Sequence, residues 1–298
     1  YTGSGSPTTV VSFGAILGAT TNAARTRMAY LSQNGNKHYV ALVSDSYPSS
    51  KAWTCVLEVD LTTSSEKVTL SGGTDIGTTG CGNISVARIS AAGTETYYLC
   101  LYLHGAISIG DLNYSMMSYN NSTNTLTIRI NNINLTTTSY RCEPRGLIEI
   151  DDDYCIMGYR NVTGSAPNDR WEWNVVNRTG TTSLSIGATY SSTSAFVSAG
   201  MLHKWEDLGF YSSTTQFIGT AYSSGPDAGQ LTIYKCEVNL GTKVITDGTG
   251  TLFMYQLSSP YASQNDRTYE PYDHKQGIGI WIGDNDDTVY GVTFSYQF

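Results

Sequence analysis

Hydrolysis of a glycosidic bond needs two carboxyl groups flanking it, one acting as acid and the other as base or nucleophile. The sequence offers Asp45, Glu149, Asp153, Glu206, Asp207 and Asp284 as candidates. Their positions repeat no catalytic pattern. The runs Asp151–Asp153 and Asp284–Asp287 read first as turn residues, because Asp side chains bond their own backbone two residues on. The histidines His38, His104, His203 and His274 are dispersed and lack metal-ligand spacing. "DNDD" (284–287) has neither the Gly nor the distal Glu of a calcium-binding EF-hand loop. No Ser-His-Asp order, phosphate-cradling Gly loop or nucleophile elbow is visible. The residues therefore point to no catalytic set, no metal and no cofactor.

Aromatic side chains are the subtler candidates. Trp53, Trp171, Trp173, Trp205 and Trp281, with 22 Tyr, have the flat amphipathic faces that stack on sugar rings or pack between strands. Six cysteines (Cys55, Cys81, Cys100, Cys142, Cys155, Cys236) lack the close pairs of a zinc knuckle. Asn-x-Ser/Thr sequons begin at Asn83, Asn113, Asn120, Asn121, Asn134, Asn161 and Asn177. A Ser/Thr-rich chain produces several by chance. Together with the even cysteine count they favour an extracellular glycoprotein at a cell or virion surface, with glycans as covalent modification or as ligand.

The net charge of −8 argues against nucleic acid, which demands a basic footprint. No apolar run is long enough for a membrane helix. A first residue Tyr1 in place of Met suggests a processed or trimmed chain.

The elements that must carry these residues are short β-like runs bounded by Gly, Asn, Asp and Ser. The strongest are "HYVALVSD" (38–45), "YYLCLYLHG" (97–105), "DYCIMGYRN" (153–161), "QFIGTAYSS" (216–224) and "GIGIWIGDN" (277–285). They recur about every 60 residues, the signature of a repeat architecture. Each is preceded by an introductory run, "TLFMYQLS" (251–258) in the last case, and followed by a third, ending with "TVYGVTFSYQF" (288–298). The first four units add a more polar fourth run. Four strands per unit and five units describe an all-β, five-bladed β-propeller. The blades fall at about 26–72, 81–131, 143–187, 197–248 and 250–298, with 1–25 as closing strand and linker.

The fifth unit stops at Phe298 without a fourth strand, while "TTVVSFGAIL" (8–17) belongs to no unit. Exposed sheet edges invite unwanted pairing. Residues Thr9, Val10, Val11, Ser12, Phe13, Gly14, Ala15, Ile16 and Leu17 are thus the expected completion of the last blade, either within the chain or donated to a neighbouring copy. Cys81 and Cys142 each precede the first strand of consecutive blades, which makes them the preferred disulfide. Second strands apolar on both faces, such as "YYLCLYL", argue against an outer-membrane barrel, whose strands alternate apolar and polar.

Units reading "RGLIEIDDDYCIMGYRN" resemble β-propeller repeats of phage fibre proteins and extracellular lectin-like propellers. The diverged units, the missing catalytic set and the polar surface favour a non-enzymatic extracellular protein of structure or adhesion, and donation of residues 8–17 to a neighbouring copy would build a filament. The alternatives are a carbohydrate-binding propeller and a glycosidase. Five-bladed glycosidases resemble one another in placing carboxylates at the inner blade ends, around a central channel.

Overall fold

Alternation of period two, broken every 8–12 residues by Gly, Asn or Asp, forces strands and tight turns rather than helices. The computed structural model of the chain describes residues 22–47, 52–60, 67–76, 81–106, 109–136, 142–161, 170–191, 202–213, 216–224, 230–247, 253–256, 262–271, 276–283 and 289–295. The described elements are β-strands in five antiparallel sheets.

Blade 1 holds β1 (Asn22–Asn34), β2 (Lys37–Tyr47), β3 (Ala52–Asp60) and β4 (Lys67–Ile76). Blade 2 holds β5 (Cys81–Ala92), β6 (Glu95–Ala106), β7 (Ile109–Asn120) and β8 (Thr125–Thr136). Blade 3 holds β9 (Cys142–Glu149), β10 (Tyr154–Asn161), β11 (Arg170–Arg178), β12 (Leu184–Ile186) and β13 (Tyr190–Ser191). Blade 4 holds β14 (Leu202–Ser213), β15 (Gln216–Ser224), β16 (Gln230–Asn239), β17 (Val244–Asp247) and β18 (Phe253–Gln256). Blade 5 holds β19 (Ala262–Pro271), β20 (Gln276–Gly283) and β21 (Val289–Ser295).

Within each sheet the strands pair in chain order. The first strands β1, β5, β9, β14 and β19 pack on one another in sequence, so they form the inner ring of a five-bladed propeller. Two hairpins close on two-residue turns that begin with Gly35 (φ 60°) and Gly93 (φ 63°). That backbone region is open to Gly without steric cost.

The core lies between blades. On β6, Tyr98, Cys100 and Tyr102 pack with Tyr39, Ala41 and Val43 of blade 1. The alternate residues Tyr97, Leu99 and Leu101 pack with Cys155, Met157 and Tyr159 of blade 3. A sandwiched strand must be apolar on both faces, which is why this run carries no polar alternation. Each such side chain contributes about 1.5–3 kcal/mol by leaving water.

The outer strands share a feature that sequence patterning missed. The β3–β4 register shifts between Thr54 and Val56, and the β7–β8 register between Tyr114 and Met116. In blade 3 the interruption is complete: β12 pairs with Val176–Arg178 and β13 with Glu172–Trp173. Blade 4 repeats this, with β17 on Cys236–Asn239 and β18 on Gln230–Ile233. In the first three blades a buried polar residue sits at or beside the break: Thr54, Asn113 and Asn174. Asn113 Nδ2 donates to Asn132 Oδ1 at 2.8 Å, and Asn132 takes φ 55° to present that oxygen. Asn174 Nδ2 donates to the Gly187 carbonyl and to Thr189 Oγ1, each at 3.0 Å. These side chains supply partners where the ladder opens.

The broken outer strand corrects one assignment. "TLFMYQLS" was expected to open blade 5, but Phe253–Gln256 is β18, the second half of the outer strand of blade 4. The inner strand of blade 5 is the polar run "ASQNDRTYEP", which has no hydrophobic alternation to announce it.

Candidate functional site at the channel mouth

The connections between blades decide which residues share an end of the propeller. Only residues 77–80 separate β4 from β5, and only 137–141 separate β8 from β9. Such short links oblige each inner strand to begin at the end where the previous outer strand finishes. All inner strands therefore run the same way, and their starts surround one mouth of the channel.

At that mouth the strand register brings chemistry-bearing residues together. In blade 1, Arg25 pairs with Asp45. In blade 2, Cys81, His104 and Asp111 lie side by side on three adjacent strands. In blade 3, Glu143 pairs with Arg160, which pairs in turn with Trp171. In blade 4, His203 and Lys204 occupy the second and third positions of β14. Asp284 follows the last residue of β20, and itself lies outside the described residues.

At the opposite end Arg88 donates through Nε to Glu149 Oε1 at 2.8 Å, and its Nη2 reaches both Glu149 and Asp152. Asp151 Oδ1 accepts the backbone N–H groups of Asp153 and Tyr154 at 2.8 and 2.9 Å, holding a tight Asp turn. Lys37 pairs with Glu58 at 2.7 Å. Glu95 accepts from Ser118 Oγ (2.7 Å), the Tyr97 hydroxyl (2.8 Å) and Arg129. Burial alone would raise the Glu95 pKa, but these donors outweigh it and hold the carboxyl below the usual range. Carboxylates engaged in this way are structural.

The six candidate carboxylates thus separate. Asp45 stands at the mouth, whereas Glu149 and Asp153 stand at the far end. Eight residues of β9 span about 25 Å, far beyond the roughly 5–9.5 Å between the carboxyl groups of a glycosidase pair. Glu206 and Asp207 fall in a register break of β14 between Trp205 and Leu208, and their side chains lie outside the described residues. Asp111, Glu143, Arg25 and Arg160 escaped the sequence reading, because strand register is what aligns them.

Other candidates resolve as structural. Trp173 is 0% exposed and stacks on Tyr190 with ring centroids 5.2 Å apart. The Trp53 indole lies directly over Gly73, where an added Cβ would collide with the ring. The side chains of Trp171, Trp205 and Trp281 are outside the described residues. His38 contacts Tyr30 through Nδ1 at 3.4 Å. Among the described residues no group of three His, Cys, Asp or Glu is placed to hold a metal. A cleft of about 740 Å³ lined by Glu237, Asn239, Thr242 and Thr246 belongs to the outer hairpin of blade 4, at the end away from the mouth.

Of the expected Cys81–Cys142 pair, Cys81 is 6% exposed within the core between blades 1 and 2, and the side chain of Cys142 is outside the described residues. Cys55, Cys100 and Cys155 are free and buried. Burial pushes the Cys55 thiol up to about 12 and raises those of Cys100 and Cys155 as well.

The sequons separate by accessibility. Asn113 is 4% exposed in a central strand, which leaves no room for a glycan in the folded chain. Asn120 Oδ1 accepts from the N–H groups of Ser122 and Thr123 in a turn. The side-chain oxygens of Asn121 and Asn177 are buried. Asn134 is exposed on β8. The side chains of Asn83 and Asn161, and the whole segment 1–21 with the expected closing strand, lie outside the described residues.

No family model matches the chain, and no curated protein matches it. Solved structures similar to it include an α-L-arabinanase from Penicillium chrysogenum complexed with arabinobiose (10% identity, TM-score 0.49, 93% of this chain and 95% of that one). An α-L-arabinofuranosidase from Fusarium graminearum is similar at 10% identity and TM-score 0.47, over 93% and 94%. The β-propeller domain of Nup133 from Vanderwaltozyma polyspora is similar at 11% identity and TM-score 0.48, over 89% and 72%. The expectation of a chain without enzymatic activity is corrected on this finding and withdrawn, since glycoside hydrolases stand among the structures with this strand arrangement.

Proposed function

We propose that the chain is a carbohydrate-active propeller that hydrolyses glycosides at the mouth of its channel. The observation supporting this reading is the strand register that gathers carboxylates at one end of the propeller. Carboxylates of three successive blades, Asp45, Asp111 and Glu143, hold register positions around one opening, interleaved with Arg25 and Arg160. At the other end Glu149, Asp152 and Glu95 are bound to arginines. A glycosidase needs one carboxyl group to protonate the leaving oxygen and a second to activate water or attack the anomeric carbon. The mouth offers three carboxylates for those two roles. Arg25 and Arg160 have the forked donors that fix hydroxyl or carboxylate groups of a sugar.

Hydrolysis of a panel of aryl furanosides, aryl pyranosides and oligosaccharides tests this. Asp45→Asn, Asp111→Asn and Glu143→Gln are compared with Glu149→Gln. Two of the three mouth variants are expected to lose activity by about 10²-fold or more, the scale of general acid–base catalysis, with Glu149→Gln close to the parent. Sugar binding without turnover across the panel overturns the hydrolytic reading. Equal loss in Glu149→Gln overturns the placement at the mouth.

A further inference from the structure

We propose that the outer strands of blades 2 and 3 each open around one bound water molecule. In blade 2 it donates a hydrogen bond to Asn113 Oδ1, and in blade 3 to Asn174 Oδ1. Both residues are the fifth of the third strand in their blade, counted from Ile109 and Arg170. Asn113 pairs with Tyr102 and Asn174 with Met157, residues that pack against the preceding blade. The two asparagines therefore hold one position, repeated one step round the ring. They are 4% and 3% exposed.

The hydrogen bonds of each amide fix the way it faces. The Gly187 carbonyl can only accept, so the atom 3.0 Å from it must be Asn174 Nδ2. The same nitrogen gives its second proton to Thr189 Oγ1 at 3.0 Å. Asn174 Oδ1 must then point the other way, where it is buried and meets no donor of the protein. Asn113 repeats the arrangement. Its Nδ2 donates to Asn132 Oδ1 at 2.8 Å, and its Oδ1 is buried without a donor.

A buried oxygen is seldom left without a donor, and an internal water supplies one where the site is polar and has room. The register breaks give the room. In blade 2 the β7–β8 pairing shifts between Tyr114 and Met116, and in blade 3 residues 187–189 leave the ladder between β12 and β13. Polar groups adjoin as well: the Tyr102 hydroxyl lies 2.9 Å from Ser115 Oγ and 3.1 Å from Asn132 Oδ1. A divalent cation fits less well, because these amide and hydroxyl oxygens bring no negative charge to hold it. The fifth residue of the third strand is Val56 in blade 1, Tyr234 in blade 4 and Thr293 in blade 5. None carries an amide, so the device belongs to blades 2 and 3.

A crystal structure of the full chain that shows ordered solvent is the direct test. Density for a water about 2.8 Å from Oδ1 is expected at both asparagines. A protein donor in that place or a dry gap overturns the proposal. So does an ion at the roughly 2.3–2.6 Å of a calcium–oxygen bond. Magnetic relaxation dispersion of the water oxygen counts long-lived internal waters in solution. Asn113→Leu and Asn174→Leu, checked for folding by circular dichroism, should each lose one water from the parent count. An unchanged count in either folded variant overturns the assignment in that blade, and the parent crystal decides the matter where a variant does not fold. Neither asparagine belongs to the carboxylates at the mouth, so the result is separate from the glycosidase reading.

Discussion

The hydroxyl of Tyr98 in blade 2 lies 3.0 Å from Thr54 Oγ1 in blade 1, inside the interface between the two sheets. Thr54 Oγ1 also donates to the Leu42 carbonyl at 3.2 Å, which leaves Tyr98 as donor to Thr54. The two residues are thus unequal. Tyr98→Phe leaves Thr54 its backbone partner and is expected to cost about 1 kcal/mol. Thr54→Val strands a fully buried phenol and is expected to cost more, up to about 3 kcal/mol. The double variant should cost less than the sum of the two. Urea unfolding of all four chains checks this, and additive losses would remove the coupling.

Acid should weaken blade 2 through Glu95, whose partners Tyr97, Ser118 and Arg129 all belong to that sheet. Its folded pKa is depressed, so its contribution is fully present above the ordinary Glu value of about 4.3. That contribution is lost as pH falls through the lower folded value. Glu95→Gln should be less stable than the parent at neutral pH, with the gap closing below about pH 4. Unfolding midpoints measured across that range decide it; a gap independent of pH would assign the loss to packing.

The buried thiols should be silent in the native state. Burial raises Cys55, Cys100 and Cys155, and the thiolate is the reactive form. A colorimetric thiol reagent at neutral pH is expected to leave all three unmodified until denaturant is added, as read by peptide mass. Rapid native modification at any of them would place it in a mobile part of the sheet.

In a host with an N-glycosylation pathway, Asn134 should be modified and Asn113 should not. The first is exposed on an outer strand, and the second donates to Asn132 from within a central one. Site-resolved mass spectrometry after deglycosylation measures both. An occupied Asn113 in folded protein would contradict the strand placement of β7.

The strand runs and the number of blades were legible in the residues themselves. Period-two alternation and Gly- or Asn-bearing turns are local, and doubly apolar runs such as Tyr97–Leu103 announce a strand enclosed on both sides. The candidate site was scarcely legible. Asp111 and Glu143 sit in unremarkable local sequence, and His104 looked isolated because its neighbours Cys81 and Asp111 are neighbours only across strands. Glu149 looked equivalent to Asp45 until strand direction set them at opposite ends. The split outer strands were hidden for a related reason. Phe253–Gln256 has an ordinary apolar strand pattern, and only the gap left on β16 beyond β17 determines which sheet it joins. Local pattern decides what a segment can become, since it depends on side-chain period and backbone preference alone. Register, direction and partner depend on contacts between residues distant in the chain, and those exist only once the sheets have packed.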